Sequence, residues 1–137
     1  MTPRFHLAFP VTDLDAARDF YVEQLGALAG RATDTWADFD LHGHQLSAHL
    51  VDRMPAPAGI GHVDGREVPI PHFGLVLEWS QWEALTERLR SRGAQFLVEP
   101  LVRFEGQPAE QGTFFIADPD GNALEFKAPR HPDQLFA

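Results

Sequence analysis

Apolar and polar positions alternate from Phe5 to Val11. Phe5, Leu7 and Phe9 fall on one face of an extended chain, His6 and Ala8 on the other, which predicts a strand. Asp13 is placed to N-cap a helix in which Leu14, Ala17, Tyr21 and Leu25 recur at helical spacing, and Gly26 ends it. Two or three strands are expected next, around Leu28 to Asp34, Trp36 to Leu41 and Gln45 to Val51, with the turn His42 to Gln45 before the last. The pattern then restarts. Phe73, Leu75 and Leu77 alternate with His72, Gly74 and Val76; Ser80 and Glu83 have the spacing of a capping box; Trp82, Leu85 and Leu89 form a helical stripe that Gly93 stops. Further strands are predicted near Gln95 to Glu99, Gly112 to Ala117 and Ala123 to Ala128.

Both halves therefore read strand, helix, three strands, the sign of a duplicated unit. Between them, Arg53 to Pro71 is rich in proline and glycine and reads as a linker or a long loop able to cover a site. The expected organisation is one domain over 1–137, with module 1 at about 4–52, a linker at 53–71 and module 2 at about 72–128.

Composition narrows the function. A net charge of −9 disfavours a nucleic-acid partner, which calls for a basic face. The absence of cysteine excludes disulfides, a thiolate nucleophile and Cys-based metal sites. No apolar run approaches the roughly 18 residues of a membrane span, and the polar N-terminus does not read as a signal peptide, so a cytoplasmic location is expected.

The candidate chemistry lies on one face. If each helix packs on the apolar sides of its strands, His6, His72 and Glu125 occupy the opposite sides, next to the small residues Ala8, Gly74 and Ala123. A lone strand histidine is commonly a satisfied polar residue. Two histidines opening equivalent strands, with the single carboxylate of the last strand on the same side, form instead a two-histidine, one-carboxylate set suited to a divalent metal with open positions. Other histidines sit in turns (His42, His44), in the linker (His62) or in the Pro-flanked tail (His131).

The stretches FPVTDLDAARDFYVEQLG and DPDGNALEF resemble the vicinal oxygen chelate superfamily, which includes glyoxalase I, bleomycin- and fosfomycin-resistance proteins and extradiol dioxygenases. The resemblance runs from His6 to Lys127 and implies an α+β fold of two βαβββ modules around a metal cleft, with a homodimer as the assembly. It implies His6, His72 and Glu125 as metal ligands. Aligning the turns at Gly43 and Gly121 pairs Glu125 with Ser47, where glyoxalase I-like enzymes carry a fourth ligand; serine serves poorly there.

The resemblance thus implies an extradiol-type ring-cleavage dioxygenase acting on a vicinal diol or catechol-like small molecule. Its metal would be Fe2+ or Mn2+, with Zn2+, Ni2+ or Co2+ also compatible with the ligands. His49, two residues beyond Ser47, would be the acid–base, or else a pocket hydrogen-bonder or an alternative ligand. Gln45, Ser47, Arg103 and Phe115 are the candidate substrate contacts. Phe115 stands ten residues before Glu125, where extradiol enzymes usually carry a tyrosine. The alternatives are a glyoxalase- or thiol-transferase-like enzyme and a metal-free protein that sequesters a bleomycin-like drug.

Overall fold

The computed structural model describes residues 1–137, which divide into two compact units. The first comprises Met1–Ala56 with Asp118–Asp120, the second Pro57–Ala117 with Gly121–Ala137.

In the first unit, β1 (His6–Val11) leads to helix α1 (Leu14–Arg18), which continues as a π-helical turn over Asp19–Gln24. Strands β2 (Leu28–Ala32), β3 (Trp36–Leu41) and β4 (His44–Leu50) follow, and the sheet order is β1-β4-β3-β2. The first and last strands pair in parallel and the last three form an antiparallel meander. Asp13 caps α1 as expected, its carboxylate accepting from the Ala16 amide at 3.0 Å. The helix-side face buries Phe9, Val11, Ala37, Phe39, Leu41, Leu46 and Ala48 beneath Ala17, Phe20 and Tyr21. Phe39 belongs to this core, stacked on Tyr21 at 5.2 Å. Phe5, expected on the same face as Leu7 and Phe9, departs from that expectation. It precedes the strand and is 63% exposed.

Tyr21 anchors this unit. Fully buried between Phe9, Phe20 and Phe39, it donates its hydroxyl to Asp118 Oδ2 at 2.9 Å. The other Asp118 oxygen accepts from the Asp120 amide, and Asp120 accepts from both the amide and the hydroxyl of Thr12. The aspartates of the DPDG turn thus serve the first unit's hydrogen bonding. Burial first, then the Asp118 charge, holds the Tyr21 hydroxyl well above its ordinary pKa of 10.0. Its contribution is complete below pH 10, where the unfolded tyrosine is neutral too, and is lost as pH rises further because the unfolded chain ionises first. Tyr21→Phe is expected to cost about 1–2 kcal/mol at neutral pH. It should also remove this alkaline loss of stability, which urea unfolding at several pH values would detect; Tyr21 is the single tyrosine in the chain.

The second unit repeats the plan. Strand β7 (Phe73–Val76), helix α2 (Trp79–Ser91), β8 (Phe96–Arg103), β9 (Gln111–Ala117) and β10 (Ala123–Pro129) form a sheet of order β7-β10-β9-β8, again with first and last strands parallel. The helix begins earlier than the Ser80–Glu83 pairing predicts. Glu78 is the cap, its amide donating to Gln81 Oε1 at 3.0 Å. Trp79 then opens the helix and is covered by the Arg130 guanidinium at 3.5 Å. Trp82 is buried and donates its indole N–H to the Phe126 carbonyl. Leu124, Phe126, Phe114 and Ile116 complete the helix-side core.

The segment expected as a loop holds an antiparallel hairpin, β5 (Gly59–Val63) and β6 (Arg66–Ile70), turning at Asp64-Gly65 with positive φ at both. Val68 is buried against Val98 and Phe115, and Val63 and Leu101 join them. The hairpin thereby covers the side of the second sheet opposite α2. No helix of the chain is long and apolar enough to cross a membrane.

Candidate functional site

The side of the second sheet facing the hairpin carries Glu125, paired with Gly74 on β7 and with Phe115 on β9. Thr113, two residues from Phe115 on the same face, donates its hydroxyl to Glu125 Oε2 at 2.7 Å. That bond leaves Oε1 to face His72 Nε2 at 3.5 Å. His72 stands just before β7, and its Nδ1 lies 2.9 Å from the Pro69 carbonyl at the end of the hairpin. A carbonyl can only accept, so Nδ1 carries a proton, and when the ring is neutral Nε2 presents a lone pair. Phe115, fully buried, packs edge-on against the imidazole at 5.0 Å and fixes its plane.

The first unit holds the other expected ligand in the same chemical state. His6 Nδ1 lies 2.8 Å from Gln45 Oε1. The Gln45 amide is oriented by its own donation to Asp38 Oδ2 at 3.2 Å, so its oxygen faces His6 and His6 Nδ1 donates. Asp38 Oδ1 accepts from the Ser47 hydroxyl at 2.6 Å. Ser47, Asp38, Gln45 and His6 are one chain of hydrogen bonds across β4, β3 and β1, ending in an imidazole with Nε2 open. The ladder puts Asp38 opposite Ser47 and His6 opposite Gln45. Asp38 was not singled out from the sequence. Its signal was there, as the carboxylate alternating with Ala37 and Phe39 on a strand whose other face is core.

Of the expected ligands, His72 and Glu125 are brought together, and His6 stands in the first unit beside Gln45. Nowhere does the structure gather three or more His, Cys, Asp or Glu side chains about one point; His6 belongs to the first unit, His72 and Glu125 to the second. The donors themselves suit a divalent metal. Each histidine gives its outer N–H to an oxygen acceptor and keeps a lone pair, and Glu125 is steered by a hydroxyl. Nε2 of His72 and Oε1 of Glu125 are two electron-rich atoms facing each other, an arrangement that a cation between them or a proton on the ring satisfies.

The remaining candidates are dispersed. Ser47 is buried and committed to Asp38. His49 is exposed near the end of β4, opposite Pro10 and Trp36 and on the face that carries Ser47 and Gln45. Arg103 closes β8 opposite Gln111, its guanidinium over the Phe104 ring at 4.9 Å.

A sequence profile described as the Glyoxalase/Bleomycin resistance protein/Dioxygenase superfamily matches residues 5–126. The chain is similar to a solved glyoxalase/bleomycin resistance protein/dioxygenase from Alicyclobacillus acidocaldarius, at 36% identity and TM-score 0.83, covering 98% of this chain and 97% of that one. It is similar to a glyoxalase family protein from Enterococcus faecalis at 24% identity and TM-score 0.67, covering 92% and 97%. The genomically encoded fosfomycin resistance protein of Listeria monocytogenes shares the fold at 16% identity and TM-score 0.70, covering 98% and 99%.

Proposed function

Because the chain belongs to the Glyoxalase/Bleomycin resistance protein/Dioxygenase superfamily, the vicinal oxygen chelate proteins, we propose that it is a metal-dependent enzyme of the extradiol ring-cleavage type. Its substrate is a small molecule with two vicinal oxygens, and it works as a homodimer. His6, His72 and Glu125 hold the metal, Fe2+ or Mn2+. The supporting observation is the shared state of the two histidines, each anchored through Nδ1 with Nε2 left to bind.

Once bound, such a metal supplies Lewis acidity and a template for two substrate oxygens and O₂. The protein's own groups do the rest. Pro69 and Gln45 hold the two imidazoles in the binding tautomer, and Thr113 keeps one Glu125 oxygen directed at His72. His49, exposed and unburdened by the core, takes the substrate hydroxyl proton as general base. Phe115 and the hairpin valines keep water from the hairpin-covered side of the second sheet. Ser47, buried and hydrogen-bonded to Asp38, speaks against the four-ligand glyoxalase arrangement.

Oxygen uptake with catechol, after anaerobic Fe(II) loading, tests the reading. Catechol-dependent uptake that His49→Ala slows and Glu125→Ala abolishes is the expected result; no uptake with any catechol would overturn it. Asp38→Ala frees Gln45 to rotate and should weaken metal binding about tenfold, measured by competition with a chromophoric chelator.

A further inference from the structure

A cavity of about 450 Å³ opens on the first unit, lined among others by His6, Gln45, Asp38, Arg4 and Arg31. The two arginines come from opposite edges of the sheet. Arg4 precedes β1, Arg31 lies in β2, and the order is β1-β4-β3-β2. Arg31 is level with Asp38, Ser47 and Ala8 in the ladders, so three inter-strand steps of about 4.8 Å and an offset of about four residues along the strands put the two backbones roughly 20 Å apart, and the guanidiniums flank the cavity from two sides.

Arg31 faces this cavity because of a β-bulge. Leu28 and Ala29 pair with Asp40 and Phe39, whereas Ala32 pairs with Ala37, so β2 holds one extra residue between Ala29 and Ala32. In an unbroken ladder Arg31 would oppose Ala37 and point to the buried, helix-side face. The inserted residue sets Gly30 and Arg31 together opposite Asp38, on the side of His6 and Gln45. Glycine permits the close approach, since a Cβ at position 30 would lie 3.1 Å from the Asp38 carbonyl oxygen.

The charges of the lining are unequally satisfied. Asp38 accepts from Ser47 and Gln45, and Asp40 accepts from the Gly43 amide. Neither the Arg4 nor the Arg31 guanidinium has an ion-pair or hydrogen-bond partner in the molecule. On a chain of net charge −9, long-range attraction does not draw anions. Two exposed guanidiniums without a partner in the protein stand on one cavity, one turned there by a bulge.

We propose that this cavity selects a carboxylate-bearing substrate, Arg31 and Arg4 binding the carboxylate while the vicinal oxygens lie toward His6. The inference rests on the chelate reading, and its experiment separates the two. Catechol, 3,4-dihydroxybenzoate and benzoate are titrated anaerobically by calorimetry into the Fe(II)-loaded protein, Arg31→Gln, Arg31→Lys and the double variant Arg4→Gln/Arg31→Gln. Circular dichroism confirms that each variant is folded. The wild type is expected to bind 3,4-dihydroxybenzoate about tenfold more tightly than catechol. The double variant should bring the two within about twofold, with Arg31→Lys between.

Equal binding of catechol and 3,4-dihydroxybenzoate by the wild type would overturn the anion site and leave the chelate reading standing. So would a preference that survives in the double variant. Benzoate binding as tightly as 3,4-dihydroxybenzoate, with both weakened in Arg31→Gln, would sustain the anion site and count against the chelate reading. Failure of both carboxylates to bind would overturn the proposal.

Discussion

Gly74→Ala is expected to prevent the second sheet from closing, with a loss of about 4 kcal/mol or more and protein recovered mainly insoluble. A Cβ at this position would overlap the Glu125 carbonyl oxygen and lie 2.6 Å from its carbon. Both are backbone atoms of the central strand β10, which is held by β7 on one side and β9 on the other. No rotamer change relieves that overlap. The strand would have to move, and Glu125 would move with it. Comparing soluble yield and melting temperature with those of Ala123→Gly, on the same face of the neighbouring strand, measures the effect. A Gly74→Ala protein of wild-type stability would show that β7 and β10 are not paired as described.

His72→Ala is expected to lower metal affinity more than a hundredfold while costing only about 1 kcal/mol of stability. The ring is half-buried, and its removal takes away one hydrogen bond, to Pro69, and one edge-on contact, with Phe115. The hairpin keeps its own anchor through Val68. Loss of binding without loss of fold is the signature of a ligand. A structural histidine would show the reverse, a large drop in melting temperature with metal affinity unchanged.

Much of this was legible from side-chain periodicity. Alternation located the strands of both modules, Asp13 announced the first helix, and the restart at His72 revealed the repeat. The hairpin was hidden by its composition. Glycines and prolines dominate 53–71, although Asp64-Gly65 between Val63 and Val68 is itself a hairpin signal. The Tyr21–Asp118 bond joins positions 97 apart, and no local pattern reports such a contact. The same holds for Asp38, whose importance comes from lying across the ladder from Ser47 and within reach of Gln45. The bulge that turns Arg31 is a register shift of one residue, which strand alternation cannot reveal in so short a segment.

Glu125, the carboxylate that follows the DPDGN turn, is steered by Thr113 toward His72, and the account stands on that carboxylate binding a metal. The most direct test is metal content by ICP-MS, on untagged protein loaded anaerobically with Fe(II) and desalted, comparing wild type with Glu125→Ala. About one equivalent per chain in the wild type and none in the variant is the expected result. Metal-free wild type, or a variant that retains its metal, would contradict it.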